Sequence, residues 1–219
     1  MLKVDLHVHT AFSDGDDIKR IVRYAKLKKL DALAVTDHNT LMSIKLAREV
    51  RDILIIPGIE LNYKFAHMLI LGINKDFRIK LSFYDMIDIC EDNGYVTILA
   101  HPAISMMLTR NYVERNYSKI KMLRAIEVYN SMYPNFYSMR LLSEKLADLL
   151  GLTKTGGSDA HKAEYVGNCY TLIDAEKNVD DILQAIIKGR AQPDGLPSPL
   201  IERLKLSIKA AKHFISARR

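Results

Sequence analysis

Short apolar, β-branched runs recur along the chain at residues 3–6, 32–36, 53–59, 68–73, 96–100, 125–129 and 153–155. Runs of this length bounded by polar residues or glycine read as buried strands. Between most of them lie stretches with apolar residues three and four apart: Ile18, Ile21, Val22 and Ala25, then Met86, Ile87 and Cys90, then Leu141, Leu142, Leu146 and Leu149. That spacing places them on one helical face. Gly94 and Gly151 stand where two of these helices should stop, since glycine enters the left-handed cap conformation without a Cβ clash. Strands alternating with helices imply parallel strands joined by right-handed crossovers. We therefore expect an α/β fold, closed into a barrel rather than spread as an open sheet.

Three stretches depart from the alternation. Residues 104–122 are less periodic and carry Arg110 and Arg115, so a long loop over the functional face is expected. Residues 191–199 hold three of the six prolines and read as a Pro-rich connector. Beyond it, Leu200, Ile201, Leu204, Ile208, Ala211 and Ile215 have helical spacing, which predicts a basic C-terminal helix over 200–219 packed on the barrel.

Composition narrows the picture. With 219 residues, 48% apolar and 26% charged, the chain fits one ordered globular domain. No run approaches the roughly 18 apolar residues of a membrane span, and MLKVDLHVHT lacks the apolar core of a secretion signal. Cys90 and Cys169 form no CxxC pair, so a reducing cytoplasm is the expected location. The net charge of +6 is concentrated in residues 200–219, which carry six Lys or Arg against one Glu and leave the remaining chain at +1. Nucleic acid is thus a possible partner but not the favoured one. Nothing in the sequence sets the oligomeric state.

Six of the seven histidines lie on or just past predicted strands, beside acidic or small polar residues. His7 and His9 form an HxH pair on the first strand, where residues two apart point the same way. Asp14 follows in an SDG turn, His38 ends the second strand in TDH, Glu60 ends the third in PGIE, and His67 opens the next in HMLILG. His101 in LAHP and Asp159 with His161 in GGSDAH complete the set. Strand ends of α/β folds converge on one face, so nine such side chains can meet there. Gathered without cations they would be poorly satisfied, because buried carboxylates need counter-charge and clustered imidazolium groups repel one another. Any one element alone is weak evidence; a strand histidine is often structural, and Asp14 could serve only an Asx turn. Imidazole with carboxylate and no thiolate suits zinc, manganese or iron, and nine ligands exceed one site, which implies two to three divalent ions. Neighbouring ions of this kind activate water as hydroxide for phosphoester cleavage.

DLHVHTAFSDG, VTDHNTL, PGIELN with HMLILG, LAHP, IEVYNS and TGGSDAH together resemble the PHP (polymerase and histidinol phosphatase) family over roughly residues 1–190. The resemblance implies a distorted TIM-like (β/α)7 barrel with a trinuclear metal site. By motif, it implies that His7, His9, Glu60 and Asp159 hold one ion, that Glu60 bridges to a second ion held also by His67 and His101, and that Asp14, His38 and His161 hold the third. Asp14 stands where some members have histidine. No room for an inserted domain follows LAHP, so the chain is similar to the short stand-alone phosphoesterases that act on small phosphorylated metabolites, of nucleotide or sugar-phosphate type. Glu60, Asp159 and His161 are the expected catalytic residues, and Asn130, Arg110 and Arg115 the expected substrate contacts. An exonuclease or phosphodiesterase on RNA or DNA ends is the alternative. A non-catalytic RNA-binding barrel ranks below both, since RNA binding requires basic surface rather than strand-end carboxylates.

Overall fold

A computed structural model describes residues 1–63, 66–74, 77–105 and 110–205. Seven strands, β1 (Leu2–Val8), β2 (Ala32–Val35), β3 (Leu54–Tyr63), β4 (Ala66–Leu71), β5 (Val96–Ala100), β6 (Ala125–Asn130) and β7 (Thr153–Gly157), follow one another in the order in which they pair. All seven coincide with the apolar runs of the sequence. β1, β2 and β3 are parallel, as are β5, β6 and β7.

β4 departs from the parallel expectation: it runs antiparallel to both β3 and β5. Only residues 64 and 65 separate β3 from β4, which is too short for the crossover that parallel strands require. Glu60 therefore lies within β3 rather than at its end, opposite Leu69. The reversal brings the first residues of β4 to the barrel end where β3, β5 and β6 point their last ones.

The barrel interior is apolar at the opposite end. Val4, Leu6, Ala32, Ala34, Ile56, Leu69, Leu71, Val96, Ile98 and Ala125 form one buried cluster there. Ile182, Leu183, Ala185 and Ile186 of α7 (Val179–Ile187) pack into it and close that mouth. Outside, α1 (Ile18–Leu27) and α2 (Met42–Glu49) cover β1 and β2. α3 (Phe83–Asp92) and α6 (Phe136–Leu150) cover β3 to β6. Asp17, Ser82, Asn135 and Asn178 cap α1, α3, α6 and α7 through their side-chain oxygens, and Gly151 ends α6 with φ 66° as its position predicts.

Closure is made past the strand ends, where Asp159 N–H donates to His7 O at 2.8 Å and His9 N–H to Ala160 O at 3.1 Å. β8 (Cys169–Ile173), which the pattern does not predict, pairs antiparallel with the first half of β1. Two segments differ from expectation. Most of 104–122 is helical, as the end of α4 (Pro102–Ser105) and α5 (Arg110–Ile120). Among the described side chains of α5, Glu114, Arg115, Tyr117 and Ser118 are exposed and only Ile120 is buried, so they form no apolar stripe to read. The proline connector begins as a strand, β9 (Ala191–Gly195), antiparallel to β8. β9 is the sheet's last strand, and an edge tolerates Pro193 because its missing N–H costs no ladder bond on the outer side.

Leu200 to Lys205 are helical and touch the barrel with polar side chains. Arg203 Nη1 donates to Tyr133 O and Pro134 O, each at 2.9 Å, and Glu202 pairs with Lys162 at 2.8 Å, while Leu200, Ile201 and Leu204 are exposed. The rest of the expected helix, 206–219, lies outside the described residues. No described helix is long and apolar enough to cross a membrane.

Candidate metal centre

Strand periodicity delivers the site residues. Along β3, Ile56, Gly58 and Glu60 share a face; along β4, Leu71, Leu69 and His67; along β6, Ala125 and Glu127. Each row begins in the apolar interior and ends in a polar side chain at the same barrel end. Two bulges correct the alternation. β1 gains a residue between Asp5 and Val8, so Val8 packs outside against α1 while His7 and His9 turn inward. β6 gains one between Glu127 and Tyr129, which returns Asn130 to the inside.

Glu60 is the centre of the assembly. Its Oε1 lies 2.9 Å from His67 Nδ1 and 3.0 Å from His101 Nε2. Its Oε2 lies 3.3 Å from His7 Nε2, His9 Nε2 and His38 Nδ1. Asp159 Oδ1 stands 3.5 Å from His7 Nε2 and 3.3 Å from His9 Nε2. Asp14 closes the outer side, with Oδ2 3.3 Å from His161 Nε2 and Oδ1 3.9 Å from His38 Nε2. All nine residues expected from the sequence thus meet in one pocket. Sets whose donor atoms are close enough to share an ion include His7, His9 and Glu60; Glu60, His67 and His101; and His9, Asp14, His38 and His161.

The donor chemistry fits cations. His161 Nδ1 donates to Asp159 O at 2.9 Å, so in the neutral ring the lone pair of Nε2 faces the Asp14 carboxylate. Nε2 atoms of His7 and His9 face each other at 3.1 Å, and His9 Nδ1 is buried without a hydrogen-bond partner. Lone pairs opposed in this way repel unless a proton or a cation lies between them. Without ions, protons take that place. Burial disfavours charge on His7, yet Glu127, Asp159 and Glu60 outweigh it and hold its pKa well above the usual imidazole range. Burial likewise opposes protonation of His9, but Asp159 and Glu60 push it up to about 9. Glu60 and Asp159 are depressed despite burial, chiefly by His7, with His101 next for Glu60 and His9 for Asp159. His38, at the rim, is lowered by burial against the pull of Glu60.

Sequence reasoning missed two supporting carboxylates. Glu127, buried in β6, places Oε1 3.0 Å from His7 Nδ1, and its Oε2 accepts from His101 N–H at 2.8 Å. This holds His7 with Nε2 toward the centre, the role an outer carboxylate commonly plays for a metal-binding imidazole. The available signal was a lone acid in the apolar strand AIEVYN. Asp37, beside His38, accepts from Thr10 N–H and Ser13 Oγ at 2.6 Å and from Thr10 Oγ1 at 2.5 Å, which pins the turn carrying Asp14.

Asn130 faces the cluster, but its Nδ2 is given to Glu127 Oε2 at 2.9 Å and Asp159 Oδ2 at 3.2 Å, and its Oδ1 accepts from Met132 N–H at 2.9 Å. Both amide hydrogens are thus directed at carboxylates of the cluster. Arg115 is exposed on α5, and no described hydrogen bond or ion pair brings it to the cluster. Arg110 begins α5, and its side chain lies outside the described residues.

A family model described as PHP-associated matches residues 140–191. Among solved structures, PsfC from Pseudomonas syringae superposes with a TM-score of 0.69 at 22% identity, over 97% of this chain and 98% of that one. A two-domain Bacteroides vulgatus protein containing a predicted PHP-like metal-dependent phosphoesterase superposes with a TM-score of 0.63 at 19% identity, over 89% of this chain and 65% of that one. The fold is that of PHP-like barrels. In sequence, the chain is 35% identical over 81 residues to a phosphoribosyl 1,2-cyclic phosphate 1,2-diphosphodiesterase of Eggerthella lenta, which is 32% of the chain and 31% of that relative. Its alignments span between 31% and 68% of the length of its curated relatives.

Proposed function

We propose that this chain is a metal-dependent phosphoesterase that hydrolyses phosphate esters of small metabolites, of nucleotide or sugar-phosphate type, at a centre of two to three divalent ions. The carrying observation is Glu60: one buried carboxylate faces two imidazoles through Oε1 and three through Oε2, an arrangement suited to bridging two cations. His7, His9, Glu60 and Asp159 would hold one ion, Glu60, His67 and His101 a second, and Asp14, His38 and His161 a third. Bound zinc, manganese or iron would supply Lewis acidity toward phosphate oxygens and ionise water at neutral pH.

The chain's own residues supply the rest. Glu127 fixes His7, Asn130 fixes Asp159, and Asp37 fixes the turn of Asp14. Side-chain exposure of 37% at His38, 32% at Asp14 and 31% at His67, against 0% at His7 and 1% at Glu60, supports approach of substrate from that side. The partial likeness to a cyclic sugar-phosphate diesterase supports including diesters among the substrates. Cys90 and Cys169, buried and unpaired, fit a reducing cytoplasm.

The test is elemental analysis of the purified protein with a screen of nucleotides, sugar phosphates, cyclic diesters and labelled oligonucleotides. We expect two to three transition-metal ions per chain and phosphate release from, or ring opening of, a small ester. A protein that retains no metal and stays inert with added manganese, zinc or iron would overturn the proposal. Turnover confined to oligonucleotide ends would favour the nuclease alternative.

A further inference from the structure

The segment after β9 crosses the functional end of the barrel and is stitched to the two loops that carry Asn130 and Asp159. Ser198, 1% exposed, donates its N–H to Ser131 O at 2.9 Å, and its Oγ lies 2.8 Å from Ser131 Oγ. Ser131 Oγ donates to Ser158 O at 2.6 Å, so its single proton is spent and the Ser198 hydroxyl must donate to it. Ser198 Oγ in turn accepts from Asn168 Nδ2 at 2.9 Å, and Asn168 Oδ1 accepts from Lys28 Nζ at 2.7 Å. The chain of donors therefore has one direction: Lys28, Asn168, Ser198, Ser131, then the carbonyl of Ser158. Lys28, as a pure donor, sets it.

Ser158 immediately precedes Asp159, whose φ of 53° is unfavourable for a residue with a Cβ. Such a conformation persists only when its surroundings over-determine it. Asp159 N–H is held by His7 O on one side, and the Ser158 carbonyl by Ser131 on the other. We propose that Ser198 is a positioning residue of the metal centre: through Ser131 it locks the Ser158 peptide, and with it the direction in which Asp159 and His161 present their ligand atoms. The segment beyond the barrel is then part of the site. This rests on reading Asp159 and His161 as metal ligands.

The experiment measures zinc or manganese affinity by competition with a chromophoric chelator, together with amide exchange across 158–161, in the full chain. Ser198→Ala should weaken metal binding roughly tenfold, the lower end of what loss of an outer partner costs, and speed exchange at Asp159. Ser198→Thr, which keeps the hydroxyl, should restore both. Asn168→Asp keeps a partner for Lys28 but draws the Ser198 proton away from Ser131, and should reproduce the loss if Ser198→Ala fails to fold. Lys205→Ala, which removes an exposed ion pair on the same segment, should change neither readout. Wild-type affinity in Ser198→Ala or Asn168→Asp would overturn the inference. Failure of the wild-type chain to bind metal would overturn the proposed function instead, and the positioning claim would then stand or fall on whether exchange at 158–161 accelerates.

Discussion

A Cβ placed on Gly157 would stand 2.5 Å from the Cβ of His7 and 2.8 Å from Glu127 Oε1. The last residue of β7 is thus pressed against the strand that carries the HxH pair, and only a hydrogen fits between them. The contact is where the barrel closes, so the same glycine serves fold and site.

Gly157→Ala should therefore separate β1 from β7. Forcing one methyl into a packed interior costs about 1–3 kcal/mol. We expect a lowered Tm in thermal denaturation and a loss of bound metal, measured by elemental analysis. Wild-type values of both would show that β1 and β7 are further apart than described.

Glu60→Gln keeps the size of the side chain and removes its charge. Five imidazoles then face an amide whose nitrogen cannot accept, and no bridge between cations survives. Metal content should fall by at least one ion per chain, and turnover by more than the 10–100-fold typical for losing an outer partner. Undiminished metal content would refute the bridging assignment.

Asp37→Asn should act on the outermost ion. The turn at Thr10–Ser13 relies on three bonds to the Asp37 carboxylate, and an amide cannot accept all of them. A buried donor left unmatched costs about 1–3 kcal/mol. Asp14 should lose its position, so titration is expected to show the weakest metal equivalent disappearing while the tighter ones remain.

Protons and metal compete for the cluster, and this sets the pH dependence. His9 has a pKa near 9 in the metal-free fold against an ordinary 6.5. The stability it contributes is complete below pH 6.5 and is lost as pH rises toward 9. Chelator-treated protein should accordingly show a falling Tm across that window. Ions need unprotonated imidazoles, so the rise in Tm on adding zinc or manganese should be larger at pH 9 than at pH 6.5. A metal-free Tm that climbs from pH 6.5 to 9 would contradict the description of His9.

Much of the site is legible in the sequence. Residues two apart on a strand share a face, so the inward rows of β3 and β4 and the acid or histidine on each can be read together from spacing. Glu127 is harder to see because a single acid in a strand has no periodic signature. Its role depends on His7, 120 residues away. Asn130 reaches the inside only through the bulge between Glu127 and Tyr129, and there its Nδ2 bonds Glu127 of its own strand and Asp159 past the end of β7.

Local sequence by itself determined which segments form β1 to β7, which polar residues stand near their ends, and that such a set of imidazoles and carboxylates calls for cations. Tertiary structure alone decided that β4 runs backward and so brings His67 to the site, and that two bulges turn His7, His9 and Asn130 inward. It alone decided that residues past the barrel brace Asp159. The reason is physical: side-chain alternation is a property of one strand, whereas strand direction, bulges and shared hydrogen bonds arise only between segments remote in the chain.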